Sequence, residues 1–262
     1  MRMPDLAAEQ AGGMQLRLLG SVRDLDGAEL PELYGYPAQL NRTWLRANFI
    51  ASLDGGATVG GVSGRLGGPG DRAVFNLLRE LADVILVGAG TVRAEGYSGA
   101  RPSVAQRQRR QACGQSEVPQ LAIVTRSGRV DREMPVFTRT EVPPLVLTCG
   151  AATDQTQRGL AGLAEVVDCS GDDPAQVDEA AVLTTLADRG LFRVLTEGGP
   201  TLFGSFVARD MLDELCLTIA PSLVGGQGAR IAAGSGHVLT GMRPGHILTD
   251  DDGYLYTRYV KA

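Results

Sequence analysis

Apolar positions along the chain change period several times, and each change marks a predicted element. The first strong segment is 45–53, LRANFIASL, which reads as a strand and stops at the turn signal Asp54-Gly55-Gly56. The stretch GGATVGGVSGRLGGPGD follows without any period. Loops that long inside a compact domain commonly carry function. Val74, Leu77, Leu78 and Leu81 then recur at helical spacing, with Asp71 placed to cap the first turn. Continuous apolar runs at 83–88, 120–125, 145–148, 163–167 and 192–196 have the length of buried parallel strands. Residues 174–189 predict an amphipathic helix ended by Gly190, and LFGSFVARD a second helix. Segment 212–220 alternates in part, as a strand with one wet face does, and the tail HILTDDDGYLYTRYV predicts a hairpin turning at Asp252-Gly253. Periodicity is weak over 1–45, which reads as an arm, and 98–118 is polar, with RQRRQ read as a solvated helix.

Strands alternate with helices until the C-terminus, where strands dominate. The predicted fold is α/β: one mainly parallel, doubly wound sheet carrying antiparallel C-terminal edge strands. Neither a repeat nor an internal linker divides it, so 46–262 is expected to be one domain behind the 1–45 arm.

Composition narrows the function. Glycine is 35 of 262 residues, well above the background of about 7%. There is no G-X-Y period, so the excess belongs to loops. The net charge of −5, without a basic block, disfavours nucleic acid. No apolar run reaches membrane-spanning length and the first residues lack a signal core, so a cytoplasmic protein is expected. Cys113, Cys149, Cys169 and Cys216 have irregular spacings that suit reduced thiols rather than a disulfide framework or zinc site. His237 and His246 stand among glycines and prolines and read as surface or loop residues. No metal is expected.

Three strands end in turns that open onto helices or loops, the place where open α/β sheets bind ligands. Gly88-Ala89-Gly90-Thr91 and Gly198-Gly199-Pro200-Thr201 offer helix N-termini, hydroxyls and close backbone approach, all suited to phosphates. Neither the G-x-G-x-x-G fingerprint nor a Walker motif is present. Arg126, between Thr125 and Ser127, suits a ribose 2′-phosphate and favours NADP over NAD.

In order along the chain, NFIASLDGGATVGGVSGR, VGAGTVRAEGYSG, TRSGRV, TEGGPTLFGSFV and DELCLTIAPSLVGG resemble the riboflavin-biosynthesis pyrimidine reductases over roughly 45–260. These form the reductase half of a bifunctional deaminase–reductase and share the dihydrofolate-reductase fold. The deaminase signature, H-x-E followed by P-C-x-x-C, does not occur, which implies a stand-alone reductase. The resemblance implies NADPH and a small-molecule substrate, 5-amino-6-(5-phosphoribosylamino)uracil. It places Ile50, Ala51, Thr58, Val59, Ser63, Gly64 and Arg65 around the nicotinamide. The pyrophosphate then rests on Gly88, Ala89, Gly90, Thr91, Gly198, Gly199, Pro200, Thr201 and Leu202, and the 2′-phosphate on Thr125, Arg126 and Ser127. Substrate contacts map to Ser63, Arg79, Glu95, Arg101 and Glu197, with Arg79 and Arg101 as cations for the substrate phosphate.

Asn48 stands where the family pattern K-x-A-x-S-L-D-G has lysine. Asp71 follows the mobile loop, where dihydrofolate reductases carry the carboxylate that pairs with the pterin. Asp71, Glu197 and Asn48 are therefore the candidate catalytic residues, with 7,8-dihydrofolate as the alternative substrate. A helix cap is the competing role for Asp71, and a non-catalytic NADPH sensor the competing function. Leu217 and Ile219 read as exposed strand positions suited to a sheet-edge homodimer.

Overall fold

The computed structural model describes residues 23–25, 29–234, 236 and 238–262. His237 and most of the arm before residue 29 lie outside the described residues. Among those described, the elements in chain order are α1 (Leu30–Leu33), β1 (Trp44–Ser52), α2 (Pro69–Leu81), β2 (Val84–Gly88), α3 (Ala89–Glu95), α4 (Val104–Ala112), β3 (Gln120–Val124), α5 (Pro135–Thr138), β4 (Leu145–Thr148), α6 (Gly150–Gly159), β5 (Glu165–Asp168), α7 (Glu179–Ala187), β6 (Arg193–Thr196), α8 (Pro200–Ala208), β7 (Glu214–Ala220), β8 (Met242–Thr249) and β9 (Leu255–Lys261). They form one sheet in the order β5-β4-β3-β2-β6-β1-β7-β9-β8. Every pair from β5 through β7 is parallel, and only β7–β9 and β9–β8 are antiparallel.

Alternation along the central strands sorts the core into two faces. Val84, Leu86, Ala122 and Leu147 pack with Val182 and Leu186 of α7 and with Phe203 and Phe206 of α8. Ile85, Val87, Ile123 and Val146 face the other way, onto Val92 of α3 and Val136 and Phe137 of α5. Continuous apolar runs were therefore the correct signature of strands covered on both sides. Towards the antiparallel edge, Val74, Leu77 and Leu78 of α2 pack with Tyr34, Cys216 and Tyr256.

Element starts depart from expectation where capping decides them. Helix α7 begins at Glu179 rather than 174, because Asp178 accepts the amides of Ala180 and Ala181 and fixes the N-terminus there. Gly68, with Pro69 following, is the N-cap of α2. Asp71 lies inside the first turn and makes no cap hydrogen bond. The polar segment does form a helix, α4, closed by a capping box between Ser103 and Gln106. It is not wholly solvated. Arg110 is buried and donates to the carbonyls of Glu80 and Ala82 at 2.6 Å, tying α4 to the C-terminus of α2. His246 is a strand residue, not a loop one. It packs edge-on to Tyr34, and burial pushes its imidazole down to about 4, so it is neutral at working pH.

The edge-strand expectation for Leu217 and Ile219 fails. Strand β7 is interior, between β1 and β9, so its backbone groups are already paired. On the sheet, Leu217 lies beside Phe49 and Thr257, and Ile219 beside Ala51 and Leu255.

Candidate active site

The carboxyl ends of β3, β2, β6 and β1 open into a cleft of about 820 Å3. A smaller lobe of about 400 Å3 continues from it beneath the first turns of α2. Phe49, Ala57, Ser63, Glu95 and Glu197 line both, so ligands in the two lobes would touch.

The larger lobe gathers the predicted phosphate cradle. Gly88, Ala89, Gly90 and Thr91 form the start of α3, and Gly198, Gly199, Pro200, Thr201 and Leu202 the start of α8. Neither helix has a side-chain cap, which leaves first-turn N–H groups free for an anion. Gly198 has φ +108°, which only glycine adopts without strain. The Gly88 amide donates to the Gly198 carbonyl at 2.7 Å, so the two cradles touch through their glycine backbones, and a Cβ on Gly199 would sit 2.9 Å from Thr91 Oγ1. Thr58, Thr125, Arg126 and Ser127 line the same lobe.

Its charge is the second feature. Arg93, Arg126 and Arg230 line it, and none is ion-paired among the described residues. The carboxylates on the same wall are engaged. Glu179 pairs with Arg209, Glu197 with Arg79, and Glu95 Oε1 accepts the Ser63 amide at 2.8 Å. The lobe thus presents uncompensated positive charge beside two helix N-termini. That fits a dinucleotide with a pyrophosphate and a further phosphate, and its size suits a molecule that large.

The smaller lobe holds Asn48, Ile50, Ser63, Gly64, Asp71, Arg79, Glu95 and Glu197 of the predicted residues. Glu197 is buried and receives both Nε and Nη2 of Arg79 at 2.7 Å and the Tyr97 hydroxyl at 2.7 Å. Burial opposes the charge on Arg79, but the Glu197 carboxylate outweighs it and raises the guanidinium above its ordinary value. Arg79 also lies over the rings of Phe75, at 4.2 Å, and Tyr97, at 5.4 Å. Burial and the Glu197 charge push the Tyr97 phenol well up, so it stays a donor.

Asp71 is half-buried beside Thr218. Burial raises its carboxyl above the usual range, partly offset by Thr218 and Arg72. Since it does not cap α2, its carboxylate is available to a ligand.

Several placements differ from expectation. Arg101 lines neither lobe. Arg79 lines the smaller lobe, but its charge is matched by Glu197, so it is not a free phosphate cation. Arg72 is the lining cation of the smaller lobe without an ion pair among the described residues. Ala51, Val59 and Arg65 line neither lobe, and Ile50 faces the substrate side. Sequence reasoning missed Arg93, Tyr97, Gln176 and Arg230. Arg93 and Tyr97 lie within VGAGTVRAEGYSG, just past its glycine turn, and were within reach of it, whereas Gln176 and Arg230 lie outside every quoted motif. Among the described residues, no cluster of side chains could hold a metal, and no helix is long and apolar enough to cross a membrane.

Known proteins resemble the chain along this same architecture. A pyrimidine reductase-like protein from Corynebacterium diphtheriae superposes with a TM-score of 0.77 at 27% identity, over 88% of this chain and 98% of that one. The riboflavin biosynthesis reductase of Saccharomyces cerevisiae shares the fold at 17% identity and a TM-score of 0.64, over 90% and 97% of the two chains. In sequence, the 2,5-diamino-6-ribosylamino-4(3H)-pyrimidinone 5′-phosphate reductase of Archaeoglobus fulgidus is 29% identical over 71% of this chain and 84% of its own. The riboflavin biosynthesis protein RibD of Bacillus amyloliquefaciens is also 29% identical, over 76% of this chain but only 51% of its own length. The RibD C-terminal domain matches residues 43–256, which takes in every strand that builds the cleft. The chain therefore belongs to the RibD C-terminal domain family.

Proposed function

We propose that this chain is an NADPH-dependent reductase acting on a ribosylaminopyrimidine 5′-phosphate, with 5-amino-6-(5-phosphoribosylamino)uracil as substrate. One observation carries the proposal: a cationic, glycine-floored cleft opens directly into a second lobe, and Phe49, Ser63 and Glu197 line both. The names of the archaeal and bacterial relatives, all riboflavin-pathway reductases or biosynthesis proteins, support the substrate class. NADPH, when bound, supplies a hydride. The protein's part is placement. The glycine turns at 88–91 and 198–202 hold the pyrophosphate, and Arg126, with Thr125 and Ser127, takes the 2′-phosphate. Glu95 pins the glycine loop at Ser63 against the cleft, and Glu197 fixes Arg79 and Tyr97 around the substrate ring. Asn48 offers an amide to that ring, and Arg72 takes the substrate phosphate.

The catalytic unit is 46–262, with 1–45 as an arm. A second copy packs face to face on the apolar side of the antiparallel region, where Leu53 is 62% exposed and Ile247 and Leu255 also reach solvent. All four cysteines are free thiols, which suits a reducing cytoplasm.

Arg126 decides cofactor choice. Removing one charge-assisted phosphate contact costs about 1.5–3 kcal/mol. Arg126→Ala is expected to raise the NADPH dissociation constant at least ~10-fold and to leave NADH nearly unchanged. Calorimetric titration with both cofactors checks this, and equal weakening of the two would remove the 2′-phosphate role.

A second reading, reduction of dihydrofolate, rests on Asp71. A carboxylate free of its helix end and facing the smaller lobe suits the paired ring N–H donors of a pterin. Asp71→Asn is then expected to weaken dihydrofolate and antifolate binding by about 2–4 kcal/mol, with NADPH affinity unmoved. Unchanged antifolate binding in this variant leaves the pyrimidine reading alone.

A further inference from the structure

Residues 221–234, which follow β7, run across the cleft; the Leu53 amide donates to the Ser222 carbonyl at 2.9 Å, and three further fastenings hold the segment. At the end of β1, Asp54 accepts the amide of Val224 at 3.1 Å, the amide of Gly225 at 2.7 Å and the hydroxyl of Ser52 at 2.5 Å. Those donors hold its carboxyl down to about 2, so the fastening stays ionised at working pH. Next, the Ala57 amide donates to the Ala229 carbonyl at 2.7 Å. Last, the Ala233 amide donates to the Pro200 carbonyl at 3.0 Å, over the first turn of α8. A Cβ on Gly204 would lie 2.1 Å from the Ala233 carbonyl oxygen, so this strap rests directly on the helix backbone.

Arg230 stands between the last two fastenings. It is exposed, lines the larger lobe and makes no ion pair among the described residues. Its neighbours place it between Ala57, on the β1 side, and Pro200, above the glycine cradle. Arg126 lies at the far side of the cleft, at the end of β3. Two cations on opposite sides meet different phosphates of a dinucleotide lying across the strand ends.

We propose that Arg230 is a ligand of the cofactor pyrophosphate, and that Asp54 is a positioning residue that holds the strap carrying it. This rests on the dinucleotide reading of the cleft, but neither residue follows from the phosphate turns themselves. The pyrophosphate is common to NADPH, NADH and ADP-ribose, so loss of Arg230 weakens all three alike. Arg126 weakens only NADPH. Asp54 acts through Arg230, so its effect vanishes once Arg230 is gone.

Calorimetric titration of the full chain with NADPH, NADH and ADP-ribose tests this, using the wild type, Arg230→Ala, Arg230→Lys, Asp54→Asn and the Asp54→Asn/Arg230→Ala double variant. The expected result is an approximately tenfold weakening of all three ligands by Arg230→Ala and partial recovery in Arg230→Lys. Asp54→Asn is expected to weaken binding in the wild type and to add nothing in the Arg230→Ala background. Arg230→Ala leaving all three ligands within about twofold of wild type, or weakening NADPH alone, overturns the assignment of Arg230. Additive effects of the two substitutions overturn the role of Asp54. A wild type that binds none of the three overturns the cofactor reading of the cleft together with Arg230.

Discussion

Gly199→Val is expected to abolish measurable NADPH binding while the chain stays folded. Gly199 is the N-cap of α8, with φ −58° and ψ 165°, outside the left-handed region that favours glycine, so its φ does not demand glycine. The added Cβ would stand 2.9 Å from Thr91 Oγ1, where the two phosphate cradles meet. The hydroxyl can rotate away, but the branched side chain then fills the space between the turns. A pyrophosphate held there would lose at least two charge-assisted contacts, each worth about 1.5–3 kcal/mol, or roughly 100-fold or more in affinity. Gly198→Val adds backbone strain at φ +108° to the same obstruction, so it is expected to lose binding too and to be less stable. Cofactor titration alongside circular dichroism checks both. Normal NADPH affinity in Gly199→Val would take this turn out of the binding site.

Glu214→Ala is expected to be the most destabilising of the single changes considered, at about 3–5 kcal/mol. Glu214 is fully buried on β7, forms an ion pair with Arg46 at 2.7 Å, and accepts hydrogen bonds from Nη2 of Arg46 at 3.2 Å and Nε of Arg258 at 2.7 Å. Arg46 is itself fully buried and lies over the Tyr36 ring at 3.8 Å. Burial pushes the Glu214 carboxyl up, and the two guanidinium groups outweigh it and hold it below its ordinary value. Removing the carboxylate leaves two cations in the core between β1, β7 and β9. The same arginines donate to the carbonyls of Leu33 and Gly35, so the segment around α1 loosens with them. For a chain of this size the loss corresponds to a fall in melting temperature of about 10 °C, with cofactor affinity little changed because the cluster lies behind the cleft. A variant melting within about 2 °C of wild type would show that the cluster contributes no net stability.

The parallel core was legible because strands buried on both faces need uninterrupted apolar runs, and five such runs lie along the chain between 83 and 196. The hairpin at the C-terminus was legible from Asp252-Gly253. Helix starts were not, since a pattern of apolar residues does not say which polar residue caps. Asp178 shortened one helix and Gly68 displaced Asp71 from the cap of another. The glycine turns that open α3 and α8 were readable because their geometry is local. Partnerships were not readable, because Arg79 and Glu197 are 118 positions apart and meet only when α2 folds over the end of β6. Arg110 read as a solvated charge because nothing in RQRRQ shows that α4 docks on the carbonyl end of α2. The residues around Arg230 have no period and no motif, and their place over the cleft comes from the Asp54 carboxylate and from backbone bonds that depend on β1, α8 and the glycine loop being assembled first.

The central claim is that the two lobes bring a dinucleotide and a ribosylaminopyrimidine into contact for hydride transfer. The direct test is NADPH oxidation by the purified chain, followed in parallel with 5-amino-6-(5-phosphoribosylamino)uracil, its undeaminated 2,5-diamino counterpart and dihydrofolate. Oxidation of NADPH that depends on a ribosylaminopyrimidine phosphate, and runs faster than with NADH, is the predicted result. NADPH that binds but is oxidised with none of the three would contradict the account and leave the cleft as a cofactor sensor.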